Sequence, residues 1–139
     1  MTAPPESPAP NPAADPAPDP ATGSRQPRPE TVEILRRLIG YDTTSRNSNL
    51  ALIDWVADYL TGLGARCERF PNAAGDKASL WATFGPEGVP GWVLSGHTDT
   101  VPVDGQDWSG DPFTLRQEGG RLYGRGSCDM KDRPPSPVM

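Results

Sequence analysis

The sequence predicts an α/β fold, a partial three-layer sheet with flanking helices, and three observations predict it. Residues 29–40 and 50–64 carry apolar side chains at three- and four-residue steps. Short stretches of strand-forming residues follow at 65–70, 79–84, 91–96 and 113–123, punctuated by Gly and Pro. Helices that are apolar on one side only, followed by strands, are expected to layer against a sheet.

Before these elements comes a leader. Ten of the 18 prolines lie in the first 30 residues, among Ala, Asp, Ser and Thr, with no aromatic and no β-branched core former. Such a segment cannot bury enough apolar surface to offset the entropy of ordering it, so residues 1–28 are expected to be a disordered Pro/Ala-rich leader. It lacks the basic start and apolar stretch of a signal peptide.

The first helix is expected to open at Pro29, whose missing N–H costs nothing in the first turn, with Glu30 and Glu33 facing the positive end of the dipole. Ile34, Leu35, Leu38 and Ile39 form its apolar face, Arg36 and Arg37 lie outside it, and Gly40 ends it. Tyr41 to Asn49 is polar and turn-like. A second helix follows a cap at Ser48 or Asn49, with Leu52, Trp55, Val56, Tyr59, Leu60 and Leu63 on one face and Gly64 closing it. Ala65–Phe70, Ser79–Phe84 and Gly91–Gly96 then read as strands, and Phe113–Gln117 with Arg121–Tyr123 as a hairpin.

Charge and composition exclude several function classes. A net charge of -5 and a pI near 4.7 disfavour nucleic acid and anionic membranes as partners. No apolar run approaches the roughly 18 residues of a membrane span. Cys67 and Cys128 stand far apart without a C-x-x-C spacing, which fits a reduced cytoplasmic pair.

The residues with chemical potential lie between Trp92 and Lys131. An apolar strand is expected to end in Ser95-Gly96-His97-Thr98-Asp99-Thr100-Val101-Pro102, which holds the single histidine of the chain. In extended backbone, side chains two apart share a side, so His97 and Asp99 face one site. Imidazole suits zinc or cobalt, and a neighbouring carboxylate can fix its tautomer. Asp129 follows the Gly-rich turn Gly124-Arg125-Gly126. Spacing alone leaves open whether these are metal ligands or a satisfied polar pair, because three such residues do not complete a tetrahedral site. Trp108, Pro112 and Phe113 are expected to pack beside the site, Cys128 to be a small buried filler, and Arg121 and Arg125 to lie on a solvated hairpin face.

Ser95 to Pro102, then Trp108, Asp111-Pro112-Phe113, Leu122 to Gly126 and Asp129-Met130-Lys131, in that order and at those intervals, resembles the first metal-ligand region of the M20 metallopeptidase and deacylase family. The resemblance covers about Glu30 to Lys131. Asp42 to Ser45, Asn47 to Leu50 and His97 to Pro102 most resemble its N-acetylornithine deacetylase branch. Desuccinylase, aminoacylase and carboxypeptidase relatives share the core motifs.

The resemblance implies the amino-terminal part of a zinc-peptidase-like catalytic domain over 29–131. It implies His97 and Asp129 as metal ligands, Asp129 bridging two divalent ions, zinc or cobalt, and Asp99 as the catalytic carboxylate that orients the imidazole. The substrate class it implies is an N-acyl amino acid, hydrolysed in the cytoplasm by a homodimeric enzyme, with N-acetylornithine giving ornithine and acetate for arginine biosynthesis.

After Lys131 the sequence departs from the family pattern. Residues 132–139 read as an aberrant Pro-rich tail where an apolar helix is expected, and three prolines there oppose a helix. The glutamate general base, absent from this chain, and the distal ligands are expected further on. A truncated fragment inactive alone is therefore the expectation for these 139 residues, with a non-catalytic frameshifted remnant as the alternative, and substrate-binding residues are not identifiable.

Overall fold

In the computed structural model the described residues are 27–131, so the expected leader and Pro-rich tail fall almost wholly outside them. Two helices come first, α1 (Pro29–Ile39) and α2 (Leu50–Gly62). Four strands follow, β1 (Arg66–Pro71), β2 (Ala78–Thr83), β3 (Arg116–Glu118) and β4 (Arg121–Tyr123). The class is mixed α/β, with the sheet in two antiparallel pairs, β1–β2 and β3–β4.

Helix α1 starts at Pro29 and stops at Gly40, whose N–H returns to the Arg36 carbonyl at 3.0 Å. Leu35 and Ile39 are buried while Arg36 and Arg37 are exposed. The helix straddles two small cores. Leu35 and Ile39 pack with Leu115, Val32 and Leu122, whereas Leu38 packs with Leu52, Ile53, Ala78 and Leu80. Gly124 lies against Ile39 so closely that an added Cβ would sit 2.9 Å from two of its side-chain carbons.

The buried face of α2 is turned from the expected one. Leu52, Ile53 and Ala57 are buried, while Tyr59 and Leu63 are exposed. The helix is apolar on more than one side, so periodicity alone does not choose the face that meets β1 and β2. Trp55 instead stacks on Tyr59 at 5.6 Å between ring centroids, with the Arg37 guanidinium over its ring. Asn49 does not cap the helix with its side chain. Its amide exchanges two 2.9 Å hydrogen bonds with the Ala78 backbone, tying the helix start to β2, and the Ser48 hydroxyl accepts from the Leu50 N–H.

The strands at 66–71 and 78–83 lie close to their expected positions and pair from Arg66↔Thr83 to Pro71↔Ala78. The second hairpin is shorter than expected at its start, with β3 beginning at Arg116. Gly91–Gly96 is a correction. It belongs to no strand, and Trp92, Val93 and Leu94 are 75 %, 56 % and 53 % exposed. A strand exists only with a ladder partner, and among the described residues nothing pairs with this run. The one bridge nearby joins Thr44 to Thr100 in parallel sense, beyond the apolar run.

Candidate metal centre

The turn after α1 anchors the segment that bears His97 and Asp99. Asp42 shapes this turn by accepting from the Thr44 N–H (3.0 Å), the Thr44 hydroxyl (2.6 Å) and the Asn47 amide (2.9 Å). Thr43 and Thr44 then meet the 98–100 segment edge on. The Thr100 N–H donates to the Thr43 carbonyl and the Ser45 N–H to the Thr100 carbonyl, both at 3.0 Å. The Thr43 hydroxyl donates to the Thr98 carbonyl. Thr43, Thr44 and Thr100 are 2 %, 2 % and 4 % exposed, so this junction is dry and its backbone hydrogen bonds are protected from water.

From that junction His97 projects between two carboxylates. Its Nδ1 lies 3.1 Å from Asp99 Oδ1 and 3.1 Å from the Asp99 carbonyl. Its Nε2 lies 3.1 Å from Asp129 Oδ1. The hydrogen bond to Asp129, then the Asp99 backbone and the two carboxylate charges, raise the His97 pKa above 6.5 against the desolvation of the ring. The three residues expected at the site therefore converge, but not onto one point. Asp99 and Asp129 occupy opposite edges of the imidazole, so only His97 Nε2 and Asp129 Oδ1 face a common position.

Asp129 reaches that position from the loop after β4. Gly126 makes the loop possible. Its φ is +81°, and an added Cβ would stand 2.8 Å from Thr100 Cγ2. Lys131 locks the far side by donating to the Leu38 and Tyr41 carbonyls, 2.9 Å each, at the end of α1. Burial pushes this ammonium down to about 8. The Asp129–Met130 peptide bond is cis.

Whether these residues fit a divalent ion is decided by donor type and spacing. A neutral imidazole with its proton on Nδ1 points a lone pair from Nε2 at a carboxylate oxygen, and two acceptors 3.1 Å apart repel unless a proton or cation lies between them. Ligands about 2.0–2.2 Å from one ion, at about 90–110° to one another, are separated by about 3–3.5 Å. The nitrogen–oxygen pair fits. Both side chains are open, 46 % and 86 % exposed, so solvent or substrate can reach the position. Among the described residues no three His, Cys, Asp or Glu groups gather on one position, so two ligands are what this part of the chain offers.

Two neighbours differ from expectation. Cys128 is exposed rather than buried, because the loop turns its side chain outward beside Ser127. Arg125 is half-buried rather than on a solvated face, lying 5.0 Å over the Trp108 ring and donating to Gln106. Trp108 is thereby packed in the loop that precedes the hairpin. The sequence reading passed over Ser45, whose hydroxyl lies 3.2 Å from Asp99 Oδ2. Its proximity depends on a contact across 54 residues, which no local pattern encodes.

Residues 93–132 match the model of peptidase family M20/M25/M40. Acetylornithine deacetylase of Pasteurella multocida (strain Pm70) is 48% identical over 85 residues, covering 60% of this chain and 22% of that protein. Acetylornithine deacetylase of Edwardsiella ictaluri (strain 93-146) is 43% identical over 111 residues, covering 74% of this chain and 28% of the relative. The crystal structure of human carnosine dipeptidase 1 superposes with a TM-score of 0.58 and 26% identity, over 73% of this chain and 25% of that one. The chain thus spans about a quarter of the length of the relatives it matches. No helix among the described residues is long and apolar enough to cross a membrane. The segment that carries His97, Asp99 and Asp129 is thus the one that matches peptidase family M20/M25/M40, and the chain around it is similar to acetylornithine deacetylases.

Proposed function

We propose that this chain carries the first half of a metal centre for hydrolysing the acyl amide of an N-acyl amino acid. N-acetylornithine is the favoured substrate, giving ornithine and acetate in cytoplasmic arginine biosynthesis by a homodimeric enzyme. The observation that carries the reading is the 3.1 Å approach of His97 Nε2 to Asp129 Oδ1, within a sequence 43–48% identical to acetylornithine deacetylases.

His97 and Asp129 would hold the divalent ions, zinc or cobalt, with Asp129 shared between two of them. When bound, the ions supply Lewis acidity to the scissile carbonyl and to the attacking water. The chain's own residues prepare the position. The Asp99 carbonyl accepts from Nδ1–H with the Asp99 carboxylate 3.1 Å from the same nitrogen, so the imidazole would present Nε2 as a lone pair. The buried Thr43–Thr44–Thr100 junction fixes the backbone from which His97 projects.

A general base is a separate requirement, and among the described residues no glutamate contacts His97 or Asp129. The 139 residues expressed alone are accordingly expected to bind metal weakly and to hydrolyse nothing. A second reading, hydrolysis of a dipeptide, is favoured by the likeness to carnosine dipeptidase 1, which shares the fold at 26% identity.

A chimera tests the reading. Residues 30–131 would replace the aligned segment of the Pasteurella multocida acetylornithine deacetylase, and the product would be assayed on N-acetylornithine and on a panel of acyl amino acids and dipeptides. Zinc- or cobalt-dependent release of acetate, abolished by His97→Ala, is expected. A folded, dimeric chimera without acetate release would contradict the substrate assignment, and dipeptide cleavage in its place would favour the second reading.

A further inference from the structure

We propose that residues 91–96 are a docking strand, and that its partner is the carboxy-terminal remainder of an acetylornithine deacetylase-type chain. The inference rests on the similarity to those enzymes and not on the choice of substrate.

The run has the chemistry of a buried strand and none of its partners. In extended backbone Trp92, Val93 and Leu94 alternate between two sides, so both sides are apolar, as in a strand covered on both faces. All three are more than half exposed, and among the described residues the backbone of 91–96 makes no hydrogen bond. Its downstream end is held. Gly96 lies against the Met130 side chain, and the buried Thr44–Thr100 bridge follows. An apolar run with a fixed end and free edges is a template for strand addition.

The β1–β2 hairpin is also bare on one face. Ala78 and Leu80 pack with Leu52 and Ile53 of α2. Trp81 follows Leu80 and so points the other way, and Phe70 shares that side because it pairs with Ser79. Both are more than half exposed. The chain thus lacks a layer, and the length of its relatives says what supplies it. The carnosine dipeptidase 1 structure superposes on 73% of this chain but on 25% of its own, and the deacetylases match over 22% and 28% of theirs. Most of each such polypeptide therefore lies outside the shared part and is available to cover these surfaces. A second copy fits less well, because two paired 91–96 runs make a two-stranded ribbon, marginal by itself, with no layer for Phe70 and Trp81. The run also leads straight into His97, so a partner paired with it stands beside the candidate metal centre, to which the described residues bring two ligands.

The test co-expresses the tagged 139-residue chain with the part of the Pasteurella multocida deacetylase that follows its aligned segment. Sedimentation reads association, and mass spectrometry reads amide exchange against the free chain diluted until monomeric; neither needs metal or substrate. A 1:1 complex is expected, with exchange at 91–96 slowed at least about tenfold. Val93→Lys and Trp92→Glu put a charge on either side of the run. Both side chains are exposed in the free chain, so its melting temperature should hold while association weakens at least about tenfold. The intact Pasteurella multocida enzyme, which already contains its own aligned segment, is expected not to bind. A remainder that stays aggregated or unassociated beside the chain would overturn the proposal, as would capture of the intact enzyme. So would a complex in which 91–96 exchanges as before, or one that both variants form as tightly as wild type. Zinc-dependent acetate release bears on the substrate alone: its absence from a complex protected at 91–96 counts against the deacetylase reading and leaves the docking strand standing.

Discussion

His97 Nε2 and Asp129 Oδ1 lie 3.1 Å apart although 32 residues separate them in the chain. The Asp129 carboxylate accepts from the protonated ring, and this hydrogen bond is the largest cause that raises the pKa of the imidazole above 6.5. The stabilisation of the fold from this contact is therefore complete below pH 6.5 and lost as pH rises through the raised folded value. Metal binding runs the opposite way, because a cation needs the same lone pair. Zinc affinity of the 139-residue chain is expected to climb by up to about tenfold per pH unit on the acid side of the folded pKa, then level off. Calorimetric titrations between about pH 5.5 and 8.5 check this, with one proton released per ion at the acid end. A pH-independent affinity would be inconsistent with His97 as a ligand.

Gly126 is the hinge of the Asp129 loop. Alanine there must adopt a φ of +81° and displace Thr100, which is buried in the Thr44 junction. Gly126→Ala is expected to lower stability by about 1–3 kcal/mol and to weaken zinc binding as Asp129 moves. Gly110→Ala serves as control, since its Cβ meets nothing within 4 Å, and chemical denaturation should separate the two.

Lys131 ties the same loop to the end of α1. Lys131→Met keeps the apolar stem and removes the ammonium donor from the Leu38 and Tyr41 carbonyls, which keep the Tyr41 and Thr43 N–H groups, and is expected to cost about 1–3 kcal/mol. Burial lowers this ammonium to about 8 from an ordinary 10.5, so the unfolded chain binds more protons across that window. Wild-type stability should therefore rise from about pH 8 to 10.5, the neutral amine keeping two N–H donors for its two carbonyls. In Lys131→Met that rise should be missing.

Trp92, Val93 and Leu94 form an exposed, unpaired apolar run. Such a run templates strand pairing with another molecule. The isolated chain is expected to self-associate in a concentration-dependent way, and Val93→Lys to reduce this without moving the His97 NMR signals. Light scattering would check it, and equal association of wild type and variant would locate the sticky surface elsewhere.

What the sequence made legible follows the range of the interactions. Helix α1 was readable because its signals are local: Pro29 at the start, Gly40 at the end and one clean apolar face. The buried side of α2 was not, because Ile53 and Ala57 compete with Trp55 and Tyr59 for the core and only the position of β2 chooses between them. The run at 91–96 has the composition of a strand, but pairing needs a neighbour that composition cannot supply. At the site, the two-residue spacing placed His97 and Asp99 on one side, and the family resemblance brought in Asp129. The anchoring of this pair by Thr43, Thr44 and Ser45 lay hidden in contacts across about 55 residues.

Zinc K-edge X-ray absorption on the zinc-loaded 139-residue chain tests the central claim most directly. The account predicts one imidazole nitrogen at about 2.0–2.1 Å with oxygen ligands completing the sphere, and loss of the imidazole signature in His97→Ala. A sphere of oxygens or sulfur with no imidazole in the wild type would contradict it.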